Sequence, residues 1–138
     1  FAIDHGHGTV IGATAIVGKK VFIYHGVTLG ASGRRSRTGR RHPRVGDDVF
    51  FGNGSQALGP CVLESHIKIA SGSIVVDSFL GEGARVGPRV RITGVVVPAG
   101  TRALSADLEN TRRYWALLPG EEKPRWATFE PFDVTGVD

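Results

Sequence analysis

Methionine is absent from the chain, and cysteine is nearly so: Cys61 stands alone among 138 residues. A single thiol excludes any disulfide framework within the chain and makes a reducing compartment, the cytoplasm, the default expectation. Nothing around Cys61 marks it as a nucleophile, so it reads as a small core residue. No apolar run is long enough to span a bilayer. Aromatic residues make up 8% and do not interleave with the arginines, so the net charge of +4 speaks for anions in general and not for nucleic acid. Through the first hundred residues no i, i+3, i+4, i+7 stripe persists, which excludes an amphipathic-helix architecture there.

What the chain has in excess is glycine, 20 residues, and a repeat. An aliphatic residue returns every sixth position, often with a small residue after it: Ile11-Gly12, Val17-Gly18, Ile23, Leu29-Gly30, then Val45-Gly46, Phe51-Gly52, Ala57, Leu63, Ile69-Ala70 and Val75. After a one-residue slip it continues through Leu80-Gly81, Val86-Gly87 and Ile92. Hexads of this kind build a parallel β-helix, all-β and left-handed, in which three hexads make one triangular coil and the aliphatic side chains stack inside. The slip marks a shortened corner or a bulge. The expected division is a β-helix over 1–101 and a C-terminal unit over 102–138. Within the latter, Ser105 as cap, Asp107 and Glu109 early, Arg112 and Arg113 late, and Leu108, Trp115 and Leu118 on one face predict a helix from Ala106 to Leu118. Trp126, Phe129 and Phe132 follow in an aromatic tail expected to close the end of the prism. Phe1 opens the chain inside the repeat, so an upstream part is expected.

The repeat is interrupted over 31–43 by a polar insertion, which must project as a loop. With its flanks it carries Arg34, Arg35, Arg37, Arg40, Arg41 and Arg44. Such a run is either a solvated face or a site for a carboxylate or phosphate. Of the five histidines, His25 and His66 read as structural. His5 lies in the glycine-rich Asp4-His5-Gly6-His7-Gly8, where small neighbours leave an imidazole accessible; His42 follows Arg41 and precedes Pro43, which fixes the backbone. A three-histidine zinc site needs wider spacing than His5 and His7 offer, so no metal is expected.

Three segments, in order, resemble the serine O-acetyltransferase family: Asp4 through Ala15, His25-Gly26-Val27-Thr28-Leu29-Gly30, and Arg41-His42-Pro43 with Val45-Gly46. The resemblance covers roughly residues 1–76. It implies acetyl transfer from acetyl-CoA to the hydroxyl of L-serine, as in cysteine biosynthesis. His5 would match the general base, with Asp4 on the substrate amino group and Arg41 and His42 on its carboxylate. Backbone amides around Gly30 and Ala31 would face the thioester oxygen, and CoA would pass Ser32, Asn53, Gly54 and Ser71. It further implies a homotrimer with sites between subunits, in which His5 and His42 come from different chains. Membrane and nucleic acid are not expected partners.

The departures bear on substrate and assembly. The family's helical N-terminal domain is missing, with the aspartate that orients its base, which leaves the trimer and not the hexamer. Ala13 stands where the family has glutamate, and His7 is an additional imidazole, so another small amino acid or amine is the alternative acceptor. The repeat runs on to about Pro98, and the family's closing Gly-Val-Pro-Ala-Arg segment is replaced. Cysteine synthase docking through a terminal isoleucine is not expected, since the chain ends Gly136-Val137-Asp138. A non-catalytic β-helix scaffold or regulator is the reading from a different class; keeping both Asp4-His5 and Arg41-His42 speaks against it.

Overall fold

The computed structural model describes residues 2–3 and 8–138. The chain winds as stacked parallel coils with three sheet faces of eight, five and six strands. The hexad residues explain this directly. On the first face Ile23, Phe51, Ile69, Val86 and Ala103 form one inward column; on the second, Leu29, Ala57, Val75 and Ile92; on the third, Val45, Leu63, Leu80 and Val97. All are buried. Each is preceded by an outward residue, as the strand period of two requires. Thus Phe22, Phe50, Lys68, Arg85 and Arg102 lie in register along the outside of the first face. Among the described residues no helix is long and apolar enough to cross a membrane.

The slip before Leu80 is a shortened corner. Asp77 turns it with φ 49°, and the strands on either side keep register, Val75 with Ala57 and Leu80 with Leu63. A second shortening, absent from the sequence expectation, falls one coil later at Gly94, φ 64°. It lies directly over the first, since Val97 pairs with Leu80. Ser78 seals this corner: its hydroxyl donates to the Val76 carbonyl and accepts from the Val95 amide.

The predicted helix over Ala106–Leu118 is not formed. Arg102–Ala106 extends the first face, and Arg113–Leu117 and Arg125–Thr128 add to it antiparallel. Alternation decides the outcome: Tyr114 and Ala116 are buried while their neighbours are only partly so. Leu108, assigned to an apolar helix face, is 97% exposed at the connection, where Asp107 accepts the amides of Glu109 and Asn110. A terminal parallel strand leaves an unpaired edge, and satisfying that edge outweighs helix propensity. Tyr114 then stacks on Phe129, with centroids 5.2 Å apart. The tail is docked: Glu130–Pro131 pairs antiparallel with Val95–Val97, and Phe132 packs against Phe79.

Among the described residues one buried side-chain polar atom lacks a hydrogen bond, Thr101 Oγ1. Burying an unpaired hydroxyl costs about 1–3 kcal/mol, and valine has the same shape. Thr101→Val is therefore expected to raise the unfolding free energy by about 1 kcal/mol, read from denaturant melts; a loss of that size would mean the hydroxyl has a partner.

Candidate active site

The insertion leaves the prism at the corner between the second and third faces. At its root Gly30 ends the strand Thr28–Gly30 and accepts the Gly59 amide at 2.9 Å. Ser32 donates its hydroxyl to Asp77 Oδ1 at 2.7 Å and accepts the Arg34 amide. The loop closes on Ser36, a buried residue whose amide donates to the Arg40 carbonyl and whose hydroxyl accepts the Arg40 amide. The polar composition of 31–43 is thus used inside the loop, not only toward solvent.

His42 sits where the chain re-enters the prism. It is 7% exposed, and its ring lies against Gly12, where a Cβ would run into the imidazole. Nδ1 faces Thr14, 3.2 Å from the amide nitrogen and 2.7 Å from Oγ1. Burial pushes the His42 pKa below its usual value, and the charges of Arg41, Arg40 and Arg35 push it further. The imidazole is therefore neutral near pH 7. Arg40 crosses the same corner, donating from Nη1 to the Thr14 carbonyl at 2.8 Å and from Nε to the Asp138 carbonyl at 2.6 Å. Thr14, Thr38, Gly39, Arg40 and Asp138 line an open recess of ≈ 340 Å³ here.

Of the residues singled out in the sequence, Arg41 and His42 share this corner with Gly30, Ala31 and Ser32. Asn53, Gly54 and Ser71 lie on a different edge, between the first and second faces, where the Gly54 amide donates to the His25 carbonyl and the Gly72 amide to the Asn53 carbonyl. One chain does not bring the two groups together. Asp4, His5 and His7 lie outside the described residues. His66 stands between Glu82 and Asp48, at 3.2 and 3.7 Å, in keeping with a structural part. Cys61 is fully buried; burial, and behind it Asp77, hold its thiol far above the usual range, which suits a core residue.

Thr14 and Arg40 were not singled out. Thr14 sits a full coil from His42, and Arg40 looked like one of six similar arginines. The only signal was Thr14 itself, an exposed polar residue between Ala13 and Ala15.

No protein-family model matches the chain. It is 47% identical over 76 residues to a serine acetyltransferase of Staphylococcus epidermidis, covering 55% of this chain and 35% of that protein. It is 43% identical over 97 residues to the serine acetyltransferase of Mycobacterium tuberculosis, covering 70% and 42%. Among solved structures, soybean serine acetyltransferase complexed with serine matches 83% of this chain and 37% of that one at 34% identity, TM-score 0.49. The chain spans between a third and a half of the length of these curated relatives. It is thus related to the serine acetyltransferases, as its motifs indicate.

Proposed function

We propose that this relative of the serine acetyltransferases is the catalytic segment of a CoA-dependent acyltransferase, moving acetyl from acetyl-CoA to the hydroxyl of L-serine. The observation that carries the reading is the buried His42, its Nδ1 turned to Thr14, seated beside Arg40 and Arg41 within a stretch that keeps the family's motifs. Serine brings a carboxylate to this corner, and a planar guanidinium with an adjacent imidazole N–H suits that group.

In the proposed reaction His5 takes the proton of the serine hydroxyl as its oxygen attacks the thioester carbonyl. The C–S bond then breaks, the CoA sulfur leaves and is protonated, and O-acetylserine remains. Asp4 holds the ammonium group, while Arg41 and His42 hold the carboxylate. The carbonyl oxygen, negative in the tetrahedral intermediate, meets the backbone amides around Gly30 and Ala31. CoA runs past Ser32, Asn53, Gly54 and Ser71. The Ser32 hydroxyl already donates to Asp77, so toward CoA it offers an acceptor or its backbone.

His42 and the Asn53–Ser71 edge occupy different corners of one prism, and this supports a homotrimer whose sites lie between subunits, His5 and His42 coming from different chains. The lone, buried Cys61 supports work in the reducing cytoplasm. One observation favours a different acceptor: Ala13, exposed beside Thr14, removes the carboxylate that the family carries there.

Release of free thiol from acetyl-CoA, measured with serine and with a panel of small amino acids and amines, tests the reading. Serine-dependent release is expected. Release with another acceptor alone would keep the chemistry and move the substrate, and release with none from folded protein would sink the enzyme.

A further inference from the structure

We propose that Thr14, Arg40 and the C-terminal segment 133–138 are positioning elements that hold His42 with its proton on Nε2, so that this nitrogen donates a hydrogen bond to the acceptor's carboxylate. The proposal rests on the acyl-transfer reading for its substrate, but its structural core stands apart from it.

The tautomer follows from donors and acceptors. A backbone N–H can only donate, and the Thr14 amide points at Nδ1. Nδ1 must therefore present its lone pair, and the neutral ring carries its proton on Nε2. The Thr14 hydroxyl, 2.7 Å away, then also donates to Nδ1. Nε2 makes no hydrogen bond to any described residue, so its N–H is available to a ligand. The ring lies against Gly12, and turning it over would put Cδ2 in the place of Nδ1 and lose both hydrogen bonds to Thr14. His42 is in this state a donor and not a base, which separates its part from that of His5.

What holds Thr14 is Arg40, and what holds Arg40 is the tail. The Thr14 carbonyl takes Arg40 Nη1, and Nε of the same guanidinium reaches the Asp138 carbonyl. Two loop residues repeat the attachment: the Arg37 amide donates to the Thr135 carbonyl at 2.9 Å, and the Thr38 hydroxyl to the Val137 carbonyl at 3.2 Å. The tail is itself anchored. Val134 and Val137 are buried, and Asp133 caps the short 3-10 turn Val134–Gly136 through the Thr135 amide and hydroxyl. Hydrogen bonds thus run without a gap from residues almost a hundred positions away to the ring nitrogen of His42.

Two measurements decide the matter. In the full chain, the nitrogen shifts of His42 in ¹⁵N NMR should show Nε2 protonated and Nδ1 bare; a ring protonated on Nδ1 overturns the proposal whether or not the protein turns over serine. Thr14→Val, Arg40→Gln and Val137→Asp, the last of which unseats the tail, should each raise the KM for serine about tenfold, with kcat changed far less, and Thr14→Ser should restore it. Folded variants with an unchanged KM would overturn the chain of positioning for the residue concerned. Should the wild-type protein release no thiol with serine, the acyl-transfer reading fails, and the His42 shifts in the three variants still decide. A mixed or reversed tautomer in Arg40→Gln or Val137→Asp supports the proposal, and an unchanged one in both overturns it; Thr14→Val keeps the amide that faces Nδ1 and serves as the control whose proton stays on Nε2.

Discussion

His5→Ala is expected to lower serine-dependent thiol release by about 10²–10⁴-fold, the usual contribution of a general base, with the KM for serine much less affected. The reason lies partly in the other imidazole. His42 has Nδ1 occupied by Thr14, so the nitrogen left to it carries a proton and cannot accept the one serine gives up. Arginines in the loop are always protonated and offer no base either. A substitute close in sequence is His7, two residues along. A drop of less than tenfold in protein with unchanged circular dichroism would therefore remove His5 as the base, and a further drop in His5→Ala/His7→Ala would give that part to His7.

The prism was legible because burial inside a coil imposes one aliphatic residue per strand at a spacing that survives any change of surface. Ile23, Phe51, Ile69 and Val86 differ in size, yet all face inward. The slip at Asp77 was visible for the same reason. Its twin at Gly94 was not, because Val95, Val96 and Val97 offer three equivalent apolar residues and conceal which of them points inward. The C-terminal strands were misread as a helix because local charge placement around Asp107 and Arg113 suits both structures. In the structure those two residues pair at 3.1 Å across a hairpin connection. The open edge of Arg102–Ala106 chose between the two forms, and an edge is a property of the assembled sheet.

The site divides along the same line. His42 and Arg41 were legible as a motif, since their neighbours in sequence are also their neighbours in space. The partners that set the state of His42 come from Gly12 and Thr14, one coil before, and through Arg40 from Asp138 at the far end of the chain. A contact of that kind has no spacing to read. Ser32 shows the converse: singled out for CoA, its hydroxyl turns inward to Asp77, and this internal bond is what fixes the start of the loop.

Replacing Gly59 tests that bond, and Gly59→Ala is expected to destabilise the protein by about 2–4 kcal/mol, lowering Tm by roughly 10 °C. Gly59 has φ 84°, a region that costs an L residue about 1–2 kcal/mol. Its missing side chain is also the gap through which Ser32, one coil away on one side, reaches Asp77 on the other; a Cβ would strike Asp77 Oδ1 and Ser32 Oγ together. Parting them leaves the buried Asp77 carboxylate without its hydroxyl donor, which adds about 1–3 kcal/mol. Gly39→Ala separates the two contributions, because Gly39 has a similar φ of 88° and nothing within 4 Å of its would-be Cβ. It should show the conformational cost alone. Equal losses in the two variants would mean that the Ser32–Asp77 bond adds nothing to stability. A larger loss at Gly59, together with a raised KM for acetyl-CoA measured well below Tm, would show that the loop depends on this crossing for its place beside the site.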